Sequence, residues 1–325
     1  MRILVTGGAG FIGSNFIRYI LNNYSDYKII NFDKLTYSGN LNNLKDVQES
    51  GNYRFIKGDI CSTKQVEAAV KDCDCIVNFA AQTHVDRSIK SSEEFVKTNI
   101  EGVRVLLDAA RKYKVDRFLH ISTDEVYGDI ERGLSREDDR LLPNSPYAAS
   151  KAAADLLCRS YFQTHKFPVI ITRSSNNFGP YQYPEKVMPL FITNAIEDRQ
   201  LPLYGDGKNV RDWVYVLDNC YGIDVVLHKG KPGQIYNIGG GNLLKNMKIA
   251  KDIIKCLDKS DETIKFVKDR PGHDRRYALS SDKLQGLGWK PEHSFDKALK
   301  MTIEWYLSNQ WWWKPLKRKA KIIKW

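Results

Sequence analysis

Short runs rich in β-branched and aromatic residues recur through the first half of the chain: RILVT, KIINF, YRFIK, CIVNF, RFLHIS and PVIITR. Between them apolar residues return at helical intervals, as in GFIGSNFIRYILNNY, STKQVEAAVKD and SSEEFVKTNIEGVRVLLDAARKY. The runs have the length of buried strands, and the intervening segments have the period of amphipathic helices, about 3.6 residues. Strands that alternate with such helices form βαβ units, so the strands lie parallel with helices on both faces. The pattern predicts an α/β fold built on a doubly wound parallel sheet, with six strands in this half.

After about Asn176 the rhythm changes. NNFGPYQYPEKVMPLF is rich in Gly, Pro and Tyr, which interrupt periodic structure. Beyond it, RDWVYVLDNCYGIDVVL reads as a strand end followed by a helix, and MKIAKDIIKCL and SFDKALKMTIEWYL read as helices. We expect a first domain over residues 1–175, with chain returning to it at about 209–236, and a smaller α/β lobe over 176–325 that would hold a substrate. No internal repeat or low-complexity segment interrupts this division.

Composition narrows the class further. Hydrophobic content of 42% and charged content of 27% are those of an ordinary globular protein. The start, MRILVTGGAGFIG, lacks the long apolar core and small-residue cleavage site of a signal peptide. No apolar run reaches membrane-spanning length. A cytoplasmic protein without a membrane partner is the expectation. Cys61, Cys73, Cys75, Cys158, Cys220 and Cys256 are scattered and form no C-x-x-C, so reduced thiols and no metal site are expected. The net charge is +11, and much of it sits in WWWKPLKRKAKIIKW, where Lys314, Lys317, Arg318, Lys319, Lys321 and Lys324 have no acid beside them. Nothing else in the chain supports nucleic-acid binding, and none is expected.

ILVTGGAGFIG places Gly7, Gly10 and Gly13, with Phe11 and Ile12 between the last two, after a strand and at the opening of a helix. Glycine permits the tight turn and the close approach of backbone to a pyrophosphate, while the helix start offers unpaired N–H groups and positive dipole. The spacing is one residue longer at the front than the usual dinucleotide fingerprint, but the physics is the same. Asp33 follows about twenty residues later, where a carboxylate accepts hydrogen bonds from a ribose 2′-hydroxyl and repels a 2′-phosphate. NAD is therefore the predicted cofactor, on a sheet of the Rossmann type. Asp59, ending the third strand, is placed to reach the adenine edge. Lys34, next to Asp33, is the one feature that works against selection of NAD over NADP.

Tyr147 and Lys151 share a helix face at spacing four, in a helix that Ser145 should cap and Pro146 should open. An ammonium beside a phenol stabilises phenolate, as a general base requires. Together with the glycine loop and a strand ending in Ser122 and Thr123, this set resembles the extended branch of the short-chain dehydrogenase/reductase superfamily. The resemblance implies that Tyr147 and Lys151 deprotonate a sugar hydroxyl while its carbon yields hydride to NAD, with Thr123 assisting.

Asp124 and Glu125 then require an explanation. Oxidising C4 of a hexose acidifies the C5 proton, and water can be eliminated across C5 and C6. That step needs a base at C5 and an acid for the leaving hydroxyl. Two adjacent carboxylates can serve if the backbone leaves extended geometry, since successive strand side chains point to opposite faces. Like charges so close also resist simultaneous ionisation, which separates one acid from one base.

STDEVYG resembles the motif of nucleoside-diphosphate-glucose 4,6-dehydratases, most closely those that act on dTDP-glucose. Similar segments run along nearly the whole chain: DKLTYSGN, AAQTHVDRSI, RSSNNFGPYQYPEKVMP, LYGDGKNVRDWVYV and DRPGHDRRYA. By this resemblance Asp124 is the acid and Glu125 the base. NAD would be tightly bound and regenerated each turnover, in contact with Gly7, Gly10, Phe11, Ile12, Gly13, Asp33, Lys34, Leu35, Thr36, Asp59, Ile60, Ala80, Ala81, Thr98, Tyr147, Lys151 and Asn177. The nucleotide sugar would meet His84, Thr123, Asn176, Lys186, Val187, Pro202, Tyr204, Arg211, Asn246, Arg270, His273 and Tyr277. Gln82 and Thr83 depart from the family, whose bacterial members usually carry an acid and a serine there. A homodimer is implied. Rival readings are the same reaction on UDP-glucose, a 4-epimerase, which the acid pair argues against, and a non-catalytic NAD sensor, which has no need of the Tyr147, Lys151 and Thr123 set.

Overall fold

The structure is a computed structural model that describes residues 1–320. Lys321 and Lys324 of the basic C-terminal run lie outside the described residues. The first half runs β1 (Arg2–Thr6), α1 (Phe11–Asn23), β2 (Lys28–Asp33), β3 (Tyr53–Lys57), α2 (Thr63–Val70), β4 (Cys75–Asn78), α3 (Val85–Lys90), α4 (Glu93–Val96), α5 (Val103–Lys112), β5 (Arg117–Thr123), α6 (Pro146–His165) and β6 (Val169–Ser174). The second half runs β7 (Asn176–Phe178), α7 (Val187–Ile196), β8 (Leu201–Tyr204), β9 (Val210–Tyr215), α8 (Val216–Lys229), β10 (Ile235–Ile238), β11 (Leu243–Lys245), α9 (Asn246–Cys256), β12 (Ile264–Val267), α10 (Asp282–Gln285), α11 (Phe295–Ser308) and α12 (Gln310–Lys319).

The six expected strands are joined by a seventh. Their order is β10-β6-β5-β4-β1-β2-β3, and every pair is parallel. The seventh, β10, comes after the sequence has moved on to other elements, which is why the strand–helix alternation of the first half does not include it. From β1 the chain winds outward through β2 and β3, then crosses back to place β4 on the other side of β1. That reversal opens a crevice at the carboxyl edge of the sheet, the usual position of a ligand site in this architecture.

Alternation along the strands divides the core into two layers. Ile3, Val5, Val77 and Leu119 face α1 and α8, where Phe16, Ile17, Ile20 and Val226 complete one apolar cluster. Leu4, Ile76, Phe118 and Ile171 face the opposite way onto Val66, Leu106, Leu107 and Cys158 of α2, α5 and α6. Fully burying each such aliphatic or aromatic side chain contributes about 1.5–3 kcal/mol. The first cluster continues into the second half through Phe178, Phe191, Trp213 and Trp313, so one core underlies both.

Only Ser175 separates β6 from β7. Across that residue the chain leaves the main sheet and enters a three-stranded sheet ordered β11-β9-β7. β9 therefore lies with β7 and β11, while α8 returns to pack on α1 and β10 returns to the main sheet. β8 and β12 form a separate parallel pair. All six cysteines are free. Among the described residues, no helix is long and apolar enough to cross a membrane.

Candidate active site

The carboxyl edge of the sheet bears one long cavity. At its floor Gly7 turns with φ of +68°, and its N–H donates to the Phe32 carbonyl at 2.9 Å. A Cβ on Gly7 would lie 2.6 Å from the Ala80 nitrogen, and one on Gly13 would lie 2.5 Å from the Gly7 oxygen. Neither position can hold a side chain. Gly10 caps α1 without any side-chain acceptor, so the first N–H groups of the helix are left for an anion.

Asp33, at the end of β2, accepts from the Ala9 N–H at 3.0 Å and the Leu35 N–H at 2.7 Å. Each oxygen keeps a lone pair for a further donor. Lys34 reaches Asp59 at 2.8 Å, so its charge is held by a carboxylate rather than offered to a 2′-phosphate. The cavity wall includes Gly7, Gly10, Phe11, Ile12, Gly13, Asp33, Lys34, Thr36, Asp59, Ile60, Ala80, Ala81, Thr98 and Asn177. Leu35 is not part of that wall; with φ of +56° it shapes the turn that brings its N–H to Asp33. Near the other end Ser175 Oγ, Asn176 Oδ1 and Asn177 Oδ1 are buried without a hydrogen-bond partner. Uncapped helix amides, a ribose-type carboxylate and orphaned polar atoms along one trough are what a dinucleotide requires, and NAD fits them.

Thr98 stands in a π-helical segment, Lys97–Gly102, inserted between α4 and α5. Its neighbour Asn99 is buried, donates to the Gln82 carbonyl at 3.0 Å and to Ser150 Oγ at 2.9 Å, and accepts from the Gln82 N–H at 2.7 Å. The widened turn thus ties the loop after β4 to α6.

The same cavity continues to Thr123, Asp124, Glu125, Tyr147, Lys151, Asn176 and Lys186. At Thr123 the strand ends, and Asp124–Tyr127 form a single 3₁₀ turn. The turn cancels the alternation of a strand, so both acids border the cavity. Thr123 Oγ1 accepts from the Glu125 N–H at 3.4 Å and contacts Asp124 Oδ1 at 3.3 Å. Gly128, at φ of +77°, closes the turn.

The two carboxyls differ in environment. Asp124 is 3% exposed and its Oδ2 has no partner. Burial, then the neighbouring Glu125 and Asp212, hold its pKa well above the ordinary carboxylate value. Burial also raises Glu125, but Arg270, Lys186 and Arg211 pull it back. Near neutrality Asp124 keeps its proton more readily, and Glu125 is the better base.

Ser145 accepts from the Ala148 N–H at 3.1 Å and Pro146 opens α6, as the sequence predicts. Tyr147 and Lys151 share the wall, but their expected contact is not formed. Lys151 donates to the Ile121 carbonyl at 2.6 Å and lies 3.4 Å from His120 Nε2, and burial brings its pKa down to about 8. Burial and Glu125 raise the Tyr147 pKa, opposed by hydrogen bonds to Thr83 and Thr123. The phenol is thus buried among carboxyls and hydroxyls.

Beyond Glu125 lies a group of cations. Arg270 donates to Asp86 at 3.0 Å, and the Tyr204 hydroxyl reaches the other Asp86 oxygen at 3.2 Å. Arg211 donates to the Asp274 carbonyl at 2.8 Å and stacks 4.3 Å from the Tyr277 ring centre, whose hydroxyl bonds to the Asp274 carboxylate. His273 Nδ1 is 2.6 Å from Asp269. His84 has φ of +86° and a buried Nδ1 without a partner; burial, then Lys186, depress its pKa, so the ring is neutral. Val187 starts α7, Pro202 lies in β8, and Asn246, with a buried unpartnered Oδ1, starts α9. His84, Val187, Pro202, Tyr204, Arg211, Asn246, Arg270, His273 and Tyr277 do not line the main cavity itself. Glu125 joins the two regions electrostatically, through Arg270 and Arg211.

The structure adds residues that the motifs do not reveal. Thr83 accepts from Lys186 at 3.4 Å and meets Tyr147, so the departure at 82–83 sits beside the reacting groups. Asp86 orients Arg270 and Tyr204. Trp312 and Leu316, from the end of the chain, also line the cavity. Among the described residues, no group of three or more His, Cys, Asp or Glu side chains is arranged to hold a metal ion.

Residues 4–302 match the family model described as GDP-mannose 4,6 dehydratase. The low-salt glycan biosynthesis protein Agl12 of Haloferax volcanii is 52% identical over 95% of this chain and 99% of its own. A dTDP-glucose 4,6-dehydratase of Streptomyces niveus is 50% identical over 98% of this chain and 96% of its own. The crystal structure of the dTDP-glucose 4,6-dehydratase DesIV from Streptomyces venezuelae, solved with NAD bound, superposes with a TM-score of 0.95 at 47% identity, covering 97% of this chain and all of that one.

Proposed function

The chain belongs to the GDP-mannose 4,6 dehydratase family, and from that premise we propose that it converts dTDP-glucose to dTDP-4-keto-6-deoxyglucose and water in an NAD-dependent cycle. When bound, NAD supplies the hydride acceptor for C4 and the hydride donor for C6, and is unchanged over the cycle. The glycine loop and the start of α1 hold its pyrophosphate, Asp33 its ribose, and Ala80, Ala81, Thr98 and Asn177 the remainder of the trough. The diphosphate of the sugar nucleotide lies against Arg211 and Arg270, whose guanidinium forks suit phosphate oxygens.

Tyr147, as the phenolate, accepts the C4 hydroxyl proton with Thr123 beside it, and the Lys151 ammonium on the same wall favours that phenolate over the neutral phenol. Glu125 removes the C5 proton. Asp124 donates its proton to the C6 oxygen as the C6–O bond breaks and water departs. Glu125 then returns a proton to C5 as C6 is reduced. Over the full cycle the proton taken from the C4 hydroxyl replaces the one that left with water. The observation that carries this reading is the unequal environment of Asp124 and Glu125 on one turn beside Tyr147.

Supply of dTDP-glucose deuterated at C4 tests it. Deuterium at C6 of a 4-keto product is the expected result. Deuterium retained at C4 of a galactose product would overturn it in favour of epimerisation, and turnover of UDP-glucose alone would move the base preference.

Three coarser readings accompany this one. Val96 on α4 and Leu156 on α6 remain exposed and apolar, which supports a homodimer formed through these helices. A division near residue 175 into a cofactor domain and a substrate lobe accords with the change of sheet at Ser175. A cytoplasmic location is consistent with six free cysteines.

A further inference from the structure

The aromatic C-terminal run is unexplained by the reaction, yet α12 docks against the floor of the cavity. Trp312 is 2% exposed, and Leu316, one helical turn later, lies on the same face; both line the cavity. The indole N–H of Trp312 donates to Asn43 Oδ1 at 2.8 Å. Asn43, 1% exposed, in turn donates through Nδ2 to the Ala9 carbonyl at 2.9 Å. The roles in this chain cannot be exchanged, because an indole only donates and a carbonyl only accepts. The Asn43 amide therefore has one orientation, and that orientation links α12 to the glycine loop.

The far side of Ala9 is held as well, its N–H donating to Asp33 at 3.0 Å. Gly10 follows, and after it the uncapped amides of α1. The peptide that leads into the phosphate-binding amides is thus fixed between Asp33 on one side and, on the other, the Trp312–Asn43 pair together with the Asn40 N–H, which donates to the same Ala9 carbonyl at 2.9 Å. Trp312 is itself packed against Trp305 and Tyr181, at ring distances of 5.1 and 5.7 Å. Lys317 secures the next turn of α12 to Glu197 at 2.9 Å.

We propose that α12 is a clasp on the glycine loop, in which Trp312 acts through Asn43 as a positioning residue that retains NAD. The inference rests on NAD being the cofactor, not on which sugar is dehydrated. Trp313 provides an internal comparison. It too is buried and donates its indole N–H, but to the Tyr306 carbonyl at 2.7 Å, away from Asn43.

The test is to strip NAD from the parent protein and from the Trp312→Phe and Trp313→Phe variants, then measure NAD rebinding by ultrafiltration and thermal stability without NAD. Loss of one buried donor should weaken NAD binding to Trp312→Phe about tenfold, with Trp313→Phe within about twofold of the parent. Parent-like NAD affinity in Trp312→Phe, or an equal loss in Trp313→Phe, would overturn the clasp. Failure of the parent itself to bind NAD would overturn the cofactor reading and the clasp together.

Discussion

Arg270 and Asp86 stand 184 positions apart in the chain and meet as a partly buried ion pair at 3.0 Å. Asp86 belongs to the loop and helix after β4, Arg270 to the segment after β12. The pair fixes a guanidinium beside Glu125, where it opposes the effect of burial on that carboxyl. The carboxyl of a base buried in a cavity is thereby held below the pKa that burial alone would give it.

Replacing Arg270 by Met should remove this support. Glu125 has a raised pKa already, so losing its strongest opposing charge raises it further. A base must be deprotonated to work, and the acid limb of kcat/KM against pH should move upward by about one unit, equivalent to 1.4 kcal/mol. An unshifted limb would assign that limb to another group.

Asp124→Asn should separate catalysis from stability. As proposed acid for the leaving hydroxyl, its loss should lower kcat by about 10²–10⁴-fold while C4 oxidation remains detectable. The folded-state pKa of Asp124 lies above the unfolded one, so its stabilising contribution is present at low pH and lost as pH rises through the folded value. Asn cannot ionise. The variant should therefore gain about 0.5–2 kcal/mol over the parent at pH 8 and little at pH 4, measured by denaturant titration.

Selection against NADP involves two acids. Asp33→Ser alone leaves Lys34 paired to Asp59 at 2.8 Å, so it should weaken NAD binding with little gain for NADP. Adding Asp59→Asn frees the ammonium, and NADP affinity should then rise about tenfold over the single variant. Equal NADP affinity in the two variants would show that Lys34 does not reach the 2′-phosphate.

Behind Lys151, the Arg173 guanidinium donates to Asp155 at 2.8 Å, with both side chains almost wholly buried. Arg173→Met removes the hydrogen-bonded cation of buried Asp155, leaving Lys151 as the nearby positive charge, and should cost about 3 kcal/mol. Asp155→Asn with Arg173→Met should recover part of that loss in thermal unfolding.

Much of this arrangement is legible in the chain because its causes are local. The strand runs, the Ser145–Pro146 helix start and the spacing of Gly7, Gly10 and Gly13 depend on neighbours a few residues away. Asp124 and Glu125 announce themselves by following an apolar strand. What could not be read depends on distant partners. No period marks β10 as a strand of the main sheet, since its pairing with β6 spans the intervening lobe. Spacing four puts Lys151 on the face of Tyr147, but the Ile121 carbonyl and burial, which the helix alone does not specify, decide where its ammonium points. Asp86 and Trp312 look like a helix acid and a tail aromatic until Arg270 and Asn43 are brought to them.

The π-helical segment at Lys97–Gly102 makes the length of the chain there part of the chemistry. An ordinary helix advances about 100° per residue. Deleting one residue would restore regular winding yet swing Asn99 off both Gln82 and Ser150, with Thr98 carried out of the trough. The exposed Lys97 and Glu101 can drift, but insertions and deletions cannot be absorbed: the reading frame of the helix, together with the Asn99 side chain, sets where that wall stands.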